Sequence, residues 1–304
     1  AGITGNAEVE LKNRALIAMC ADNGVVAEGV TQSEQNVTAI VSENFLSDKA
    51  TAAILCKQTG AEIFPIDIGI AVDTKLENHK IAYGTKNMAK EPAMTREEAE
   101  KAMEVGIEKV RELSGQGYKI IATGEMGIGN TTTSSALASY FLQEDVEKMT
   151  GRGAGLTSKA LEKKIAVVRK AIADYSPVFT DAIDALAALG GFDIAGMAGV
   201  FLGGAIYRVP IVMDGFISST AALTATRICP ACKDFIMASH VSKEPAAEKI
   251  LAAMDKEAAL HCDMCLGEGT GAVTLFPILD LATQIYEQMS TFEDIEIDAY
   301  VELK

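Results

Sequence analysis

Tryptophan is missing from all 304 residues, aromatic side chains make up only 6%, and proline occurs seven times. A core built without large rings is filled by alanine, isoleucine, valine and leucine, as buried parallel strands and close-packed helices prefer. Basic residues are also few: 27 Lys and Arg face 42 Asp and Glu, for a net charge of −15. Such a field repels phosphate backbones and anionic membrane surfaces, so no nucleic acid is expected as a partner. Mean hydropathy is +0.18, yet the longest uncharged apolar stretch, 194–207, has fourteen residues between Asp193 and Arg208. Roughly twenty are needed to span a bilayer, so no membrane segment is expected. Glu8 and Glu10 stand where a signal peptide would be basic and then apolar, which points to the cytoplasm and to six mostly reduced cysteines. The hydrophobic share of 49% excludes disorder, collagen and a small disulfide scaffold, and the length allows one large or two modest domains.

Apolar runs rich in branched residues close on polar or glycine-containing turns at 15–24, 61–69, 118–125, 209–215 and 234–240. These read as buried strands. Helical spacing occupies 34–46, 49–59, 97–113, 131–142, 158–175 and 244–254, and Thr95 with Glu98 forms a capping box ahead of the third. The alternation predicts an α/β fold, a doubly wound, mostly parallel sheet with helices on both faces. Open sheets of this kind bind ligands beyond the carboxyl ends of their strands. Here those ends carry Asp22, Asp67, Glu125, Asp214 and His240. Any one of them could merely cap a helix or satisfy a turn; their recurrence at one edge marks a site. The twelve methionines read as core, the acidic stretch 293–302 as a solvated end, and the glycines and alanines of 195–205 as a close helix approach or a subunit contact.

Three loops carry chemistry. GEMGIGNTT begins at Gly124, directly after a strand, and imitates P-loop spacing with asparagine where the lysine belongs, which excludes an NTP-hydrolysing loop. Gly124, Gly127 and Gly129 would let backbone N–H groups approach an anion, with Thr131 and Thr132 adding hydroxyls at a helix N-terminus, a geometry suited to a monophosphate. A tight turn with no ligand is the alternative, and the charge of Glu125 inside the loop argues against it. GRGAGL (151–156) sets Arg152 among glycines ahead of Lys163, Lys164 and Arg169, which form either a cation cluster or a solvated face. LGEGTGA (266–272) holds Glu268 between Gly267 and Gly269. A carboxylate there is either an N-cap or a partly desolvated general base.

Together with GGFDIAGMAGVFLGGA (190–205), VPIVMDGF (209–216) and Ser239-His240, these loops resemble the nicotinate-nucleotide:dimethylbenzimidazole phosphoribosyltransferases of cobamide lower-ligand assembly, over about residues 21–292. The resemblance implies transfer of 5-phosphoribosyl from nicotinate mononucleotide to an aromatic base, by a homodimer with neither metal nor redox cofactor. It makes Glu268 the general base; Glu125 is expected to assist by stabilising cationic character on the ribose. It places phosphate and ribose contacts on Glu125, Gly127, Gly129, Asn130, Thr131, Gly153, Gly155 and Lys164. The base pocket falls near Val26, Glu28, Gln35 and Leu266, with Gly267 and Gly269. The division expected is 13–277 as the catalytic α/β domain, with 1–12 and 278–304 as a small helical subdomain.

Two departures stand out. The family's proline- and glycine-rich N-terminal motif is absent before the first strand, so part of the small subdomain is expected to be missing. The turn after that strand reads Asp22-Asn23-Gly24, where relatives commonly carry histidine in the middle, and this leaves the acceptor base open, phenols included. A nucleotide-binding relative that works with a sister subunit is therefore one alternative. Another is a zinc- or thiol-based regulatory protein using Cys229-Pro-Ala-Cys232 and Cys262-Asp-Met-Cys265, with His240 and His261 as extra ligands; small buried thiols are the plainer reading.

Overall fold

The computed structural model describes residues 1–301; the last three positions of the expected subdomain and the final Glu of the acidic stretch lie outside the described residues. Strand β1 (Arg14–Ala21) is buried along its whole length. Ala15, Ile17, Met19 and Ala21 enter one core and Leu16, Ala18 and Cys20 the other, the two-sided burial that makes a central parallel strand read as an unbroken apolar run. β2 (Ala61–Gly69), β3 (Glu77–Asn78), β4 (Ile120–Met126), β5 (Ile211–Met213) and β6 (Ile236–Ala238) complete a sheet of order 3-2-1-4-5-6. Every pairing is parallel. The winding reverses between β1 and β4, the place where doubly wound sheets open a ligand crevice.

The helices are α1 (Val37–Asn44), α2 (Thr51–Thr59), α3 (Arg96–Gly115), α4 (Asn130–Leu142), α5 (Val146–Met149), α6 (Ser158–Tyr175), α7 (Ala182–Leu189), α8 (Phe192–Tyr207), α9 (Phe216–Ile228), α10 (Ala247–Ala253) and α11 (Thr270–Gln288). α2 and α11 cover one face of the sheet, while α3, α4, α8 and α9 cover the other. The capping box ahead of α3 is present in both directions, Thr95 and Glu98 each accepting the other's backbone N–H. The glycines of α8 serve a helix contact: a Cβ on Gly199 would meet the Met103 carbonyl oxygen of α3 at 2.0 Å, and one on Gly106 of α3 would meet that of Gly196 at 2.1 Å. Backbones packed this closely leave no room for a methyl group.

The expected helix 158–175 is α6 to the residue. The outer strands are shorter than their apolar runs, because Asp214-Gly215 already leads into α9 and Ser239-His240 turns away after β6. The sequence reading does not place α5, α7 or α9; α9 is buried over most of its length, and a helix hidden on all sides shows no polar face to reveal its period. Among the described residues, 1–13 and 289–301 contain only turns and irregular chain, and α11 continues unbroken through Pro277. No helix among the described residues is long and apolar enough to cross a membrane.

Candidate active site

Register brings the polar strand ends to one edge. β1 pairs Met19 with Glu125 of β4 and Cys20 with Asp67 of β2. Two of the strand-end acids serve the fold. Asp67 accepts from the Ile70 N–H at 2.9 Å and pairs with Lys80 at 2.8 Å. Asp214 accepts from the N–H groups of Gly269, Gly271 and Ala272 at 3.1, 2.7 and 3.0 Å, so a side chain from the end of β5 caps α11. His240 Nδ1 lies 3.8 Å from the same carboxylate. Asp22 accepts from the Ala71 N–H at 2.8 Å.

Glu125 remains at the centre of the edge. It is buried, and its carboxylate accepts from Asn130 Nδ2 and lies against the Glu268 backbone. Burial, reinforced by the neighbouring Asp193, pushes its carboxyl up to about 8, which favours its neutral form. Asp193, in the first turn of α8, accepts from the same Asn130 Nδ2 at 3.1 Å and from the Ile194 N–H at 3.0 Å. Burial pushes it up to about 6. A Cβ at Gly127 would stand 2.5 Å from Asp193 Oδ2 and 2.6 Å from the Ala21 carbonyl, so only glycine lets the β4–α4 loop pass. At Gly129, where φ is +95°, a Cβ would strike Val26 at 2.8 Å, which places Val26 against the same loop. Asn130 N–H is taken by the Gly127 carbonyl at 3.0 Å and Thr132 N–H by that of Gly129 at 2.9 Å.

Gly267, Glu268 and Gly269 all have left-handed backbones, at φ 89°, 62° and 83°. Glutamate rarely adopts that conformation, and its presence between two glycines is the kind of local strain found at functional sites. The loop's main chain faces β4, since a Cβ on Gly267 would approach Glu125 Oε1 to 2.6 Å. The Glu268 carboxylate is half-buried beside the Ala52 N–H in the first turn of α2, and its Oε2 is buried without a hydrogen-bond partner. Burial raises its pKa.

A second cluster adjoins the first through Thr131. Lys164 Nζ, fully buried, donates to Thr131 Oγ1 at 2.8 Å and to the Gly151 carbonyl at 3.2 Å. Burial brings its pKa down to about 8. Gly153 lies over this pair, and its N–H donates to Glu244 Oε1 at 3.1 Å. The Gly155 carbonyl accepts from Gln32 Nε2. The cluster sets one buried ammonium, a threonine hydroxyl and glycine-rich backbone about a single spot, with the Glu244 carboxylate as the anion already facing Lys164; a phosphate binding there would take that carboxylate's place beside the ammonium.

Other expected residues sit apart. Glu28 accepts from Asn87 Nδ2 at 2.7 Å and lies 3.8 Å from Lys90, and so is turned toward the 86–91 segment. Leu266 is 57% exposed, and Gln35 is half-buried. Lys163 and Arg169 are on the solvated side of α6. Sequence reading missed Asp193 and Glu244 as site residues. Asp193 had a visible signal, a lone acid inside the apolar stretch 190–207; Glu244 had none, because its neighbour Lys164 is remote in sequence. Two cavities of about 460 and 390 Å³ lie away from this edge, one lined by Tyr140, Phe141 and Arg227, the other by Arg96, Tyr175 and Phe179. Among the described residues no three of His, Cys, Asp or Glu gather so as to hold a metal ion, so the two CxxC pairs do not combine into a four-thiolate centre.

A phosphoribosyltransferase family model matches residues 1–297. A nicotinate-nucleotide–dimethylbenzimidazole phosphoribosyltransferase of Clostridium acetobutylicum is 50% identical over 306 residues, covering all of this chain and 87% of its own. The chain belongs to this family. The corresponding phosphoribosyltransferase of Acetivibrio thermocellus is 48% identical, with 99% of this chain and 86% of the relative covered. Among solved structures, CobT from Thermus thermophilus superposes with a TM-score of 0.93 at 35% identity, over 97% of this chain and 90% of that one. A six-stranded parallel sheet carrying the Glu125 and Glu268 loops at one edge is thus a phosphoribosyltransferase fold.

Proposed function

We propose that the chain transfers 5-phosphoribosyl from nicotinate mononucleotide to 5,6-dimethylbenzimidazole or a related aromatic base, giving α-ribazole 5′-phosphate and nicotinate for cobamide nucleotide-loop assembly. The observation that carries the reading is Glu268, a half-buried carboxylate in a left-handed turn with one unpartnered oxygen. An azole nitrogen attacks the anomeric carbon, and the bond to the pyridinium nitrogen breaks with its electron pair passing to nicotinate. That ring leaves neutral at nitrogen and needs no acid. The incoming ring becomes cationic, its remaining N–H turns acidic, and Glu268 takes that proton. Glu125 stands at the centre of the same edge, and the burial that favours its neutral form argues against its stabilising cationic character on the ribose. Lys164 and Thr131, at the start of α4, hold the phosphate, and Gly127, Gly129, Gly153 and Gly155 keep the surrounding backbone close. Fixing both reactants in one cleft supplies much of the acceleration.

Incubation with nicotinate mononucleotide and a panel of benzimidazoles, purines and phenols tests the reading by chromatography. Nicotinate release that requires an azole is the expected result; binding of the nucleotide with no release under any acceptor would overturn it. Asn23, buried beside Asp193, occupies the turn where relatives commonly carry histidine, and the same panel reads the acceptor profile that goes with it.

We also propose a cytoplasmic homodimer. Its support is the exposed stretch of α11, where Leu281, Ile285 and Tyr286 are each 59% exposed; apolar side chains exposed in this way mark interaction surfaces. The division into 13–277 and the chain ends is proposed in the same sense, because beyond Asp280 α11 exposes Leu281, Ile285 and Tyr286. Sedimentation that gave a monomer at micromolar concentration would remove the dimer.

A further inference from the structure

Cys229 and Cys232 flank Pro230-Ala231 between α9 and β6, and no step of the transfer reaction uses them. The segment is a rigid turn. Cys229 N–H donates to the Ala225 carbonyl at 2.8 Å, ending α9, and Cys232 N–H donates back to the Cys229 carbonyl at 3.1 Å. A hydrogen bond from residue i+3 to residue i closes a turn whose terminal Cα atoms lie within about 7 Å, about the span that a disulfide bridges. Pro230, at the second position of the turn, fixes its φ and so the direction of the chain. Cys229 is partly accessible, whereas Cys232 is fully buried, and burial pushes the Cys232 thiol up to about 12. The accessible thiol can meet a reagent and the buried one can only follow.

We propose that Cys229 and Cys232 form a thiol–disulfide pair, with Cys229 the reacting thiol and Cys232 the resolving one, oxidised by small hydroperoxides. The Cys229 thiolate attacks the peroxide, breaking the O–O bond to give a sulfenic acid and hydroxide. Cys232 sulfur then displaces that hydroxyl, forming the S–S bond and releasing water, so two electrons pass to the peroxide. The pairing differs from that of Cys262 and Cys265, which are both exposed on a loop where, among the described residues, no backbone hydrogen bond joins one to the other. Cys20 and Cys56 are buried, and burial raises both thiols.

The test treats the reduced, full chain with hydrogen peroxide, blocks remaining thiols in denaturant, and maps tryptic peptides. Cleavage after Arg227 and Lys233 isolates both cysteines in the peptide 228–233, well apart from Cys262 and Cys265. The expected result is loss of two thiols and a 228–233 peptide lighter by two hydrogens, with Cys232→Ser leaving a sulfenic acid at Cys229 that a cyclic 1,3-dione traps. A 228–233 peptide that keeps both thiols while Cys262 or Cys265 is oxidised would overturn the proposal. So would Cys229 joined to a second chain instead of to Cys232.

Discussion

Glu125 and Asp193 share one hydrogen-bond donor, the Nδ2 of Asn130. Two buried carboxyls with a single amide between them cannot both ionise without strong repulsion, and of the two Glu125 keeps its proton to the higher pH. This pair is the main titrating element of the sheet edge.

Stability should therefore fall on the alkaline side. Both carboxyls have folded pKa values above their ordinary ones, so between about 4.5 and 8 the native chain binds more protons than the unfolded chain. The slope of unfolding free energy with pH is then negative, and the contribution present below the unfolded values is lost as pH rises through the folded ones. Melting temperature is expected to drop between pH 5 and 8 by calorimetry, and Glu125→Gln is expected to flatten the upper part of that fall.

Removing the base isolates chemistry from binding. Glu268→Gln keeps the shape of the loop and abolishes proton acceptance, so kcat should fall about 10²- to 10⁴-fold with the KM for nicotinate mononucleotide little changed. Steady-state rates with the preferred azole decide it; a rate near that of the unaltered chain would take Glu268 out of the role.

The pH–rate profile carries the same assignment. Burial raises the Glu268 pKa above the ordinary glutamate value of 4.5, and the base works only when ionised. The acid limb of kcat/KM should therefore have its midpoint above that value, and the limb should vanish in whatever residual activity Glu268→Gln retains.

Lys164→Met removes the fully buried ammonium of the Thr131–Gly153 cluster. A charge-assisted hydrogen bond of about 1.5–3 kcal/mol corresponds to a rise of about 10- to 150-fold in the KM for the nucleotide, with a smaller effect on kcat. Competition by inorganic phosphate should weaken in parallel.

Gly199→Ala drives a methyl group toward the Met103 carbonyl, 2.0 Å from where its Cβ must sit. Forcing α3 and α8 apart should destabilise the chain by about 1–3 kcal/mol, read as a lower midpoint in urea. Gly106→Ala strains the same contact, so the two losses should not add.

Much of this arrangement was legible from sequence because it rests on local patterns. The apolar run of β1, the Thr95–Glu98 box and the glycines around Glu125 and Glu268 each announce themselves within a dozen residues. The rest depends on pairs far apart in the chain. Glu244 meets Gly153 across 91 residues and Asn130 meets Asp193 across 63, distances over which spacing carries no information. Glu28, which the resemblance places near the base pocket, accepts from Asn87, 59 residues on, a partner that spacing could not supply. The glycines of 195–205 left open a helix contact or a subunit contact, and the approach of α3 decides for the first.

The cap that Asp214 places on α11 also sets where motion can begin. Its oxygens hold the amides of Gly269, Gly271 and Ala272, whereas Cys262 and Cys265 upstream are exposed. Hydrogen exchange should thus change from rapid to strongly protected within a few residues on either side of Glu268, leaving that carboxylate at the seam between a mobile approach and an immobile wall.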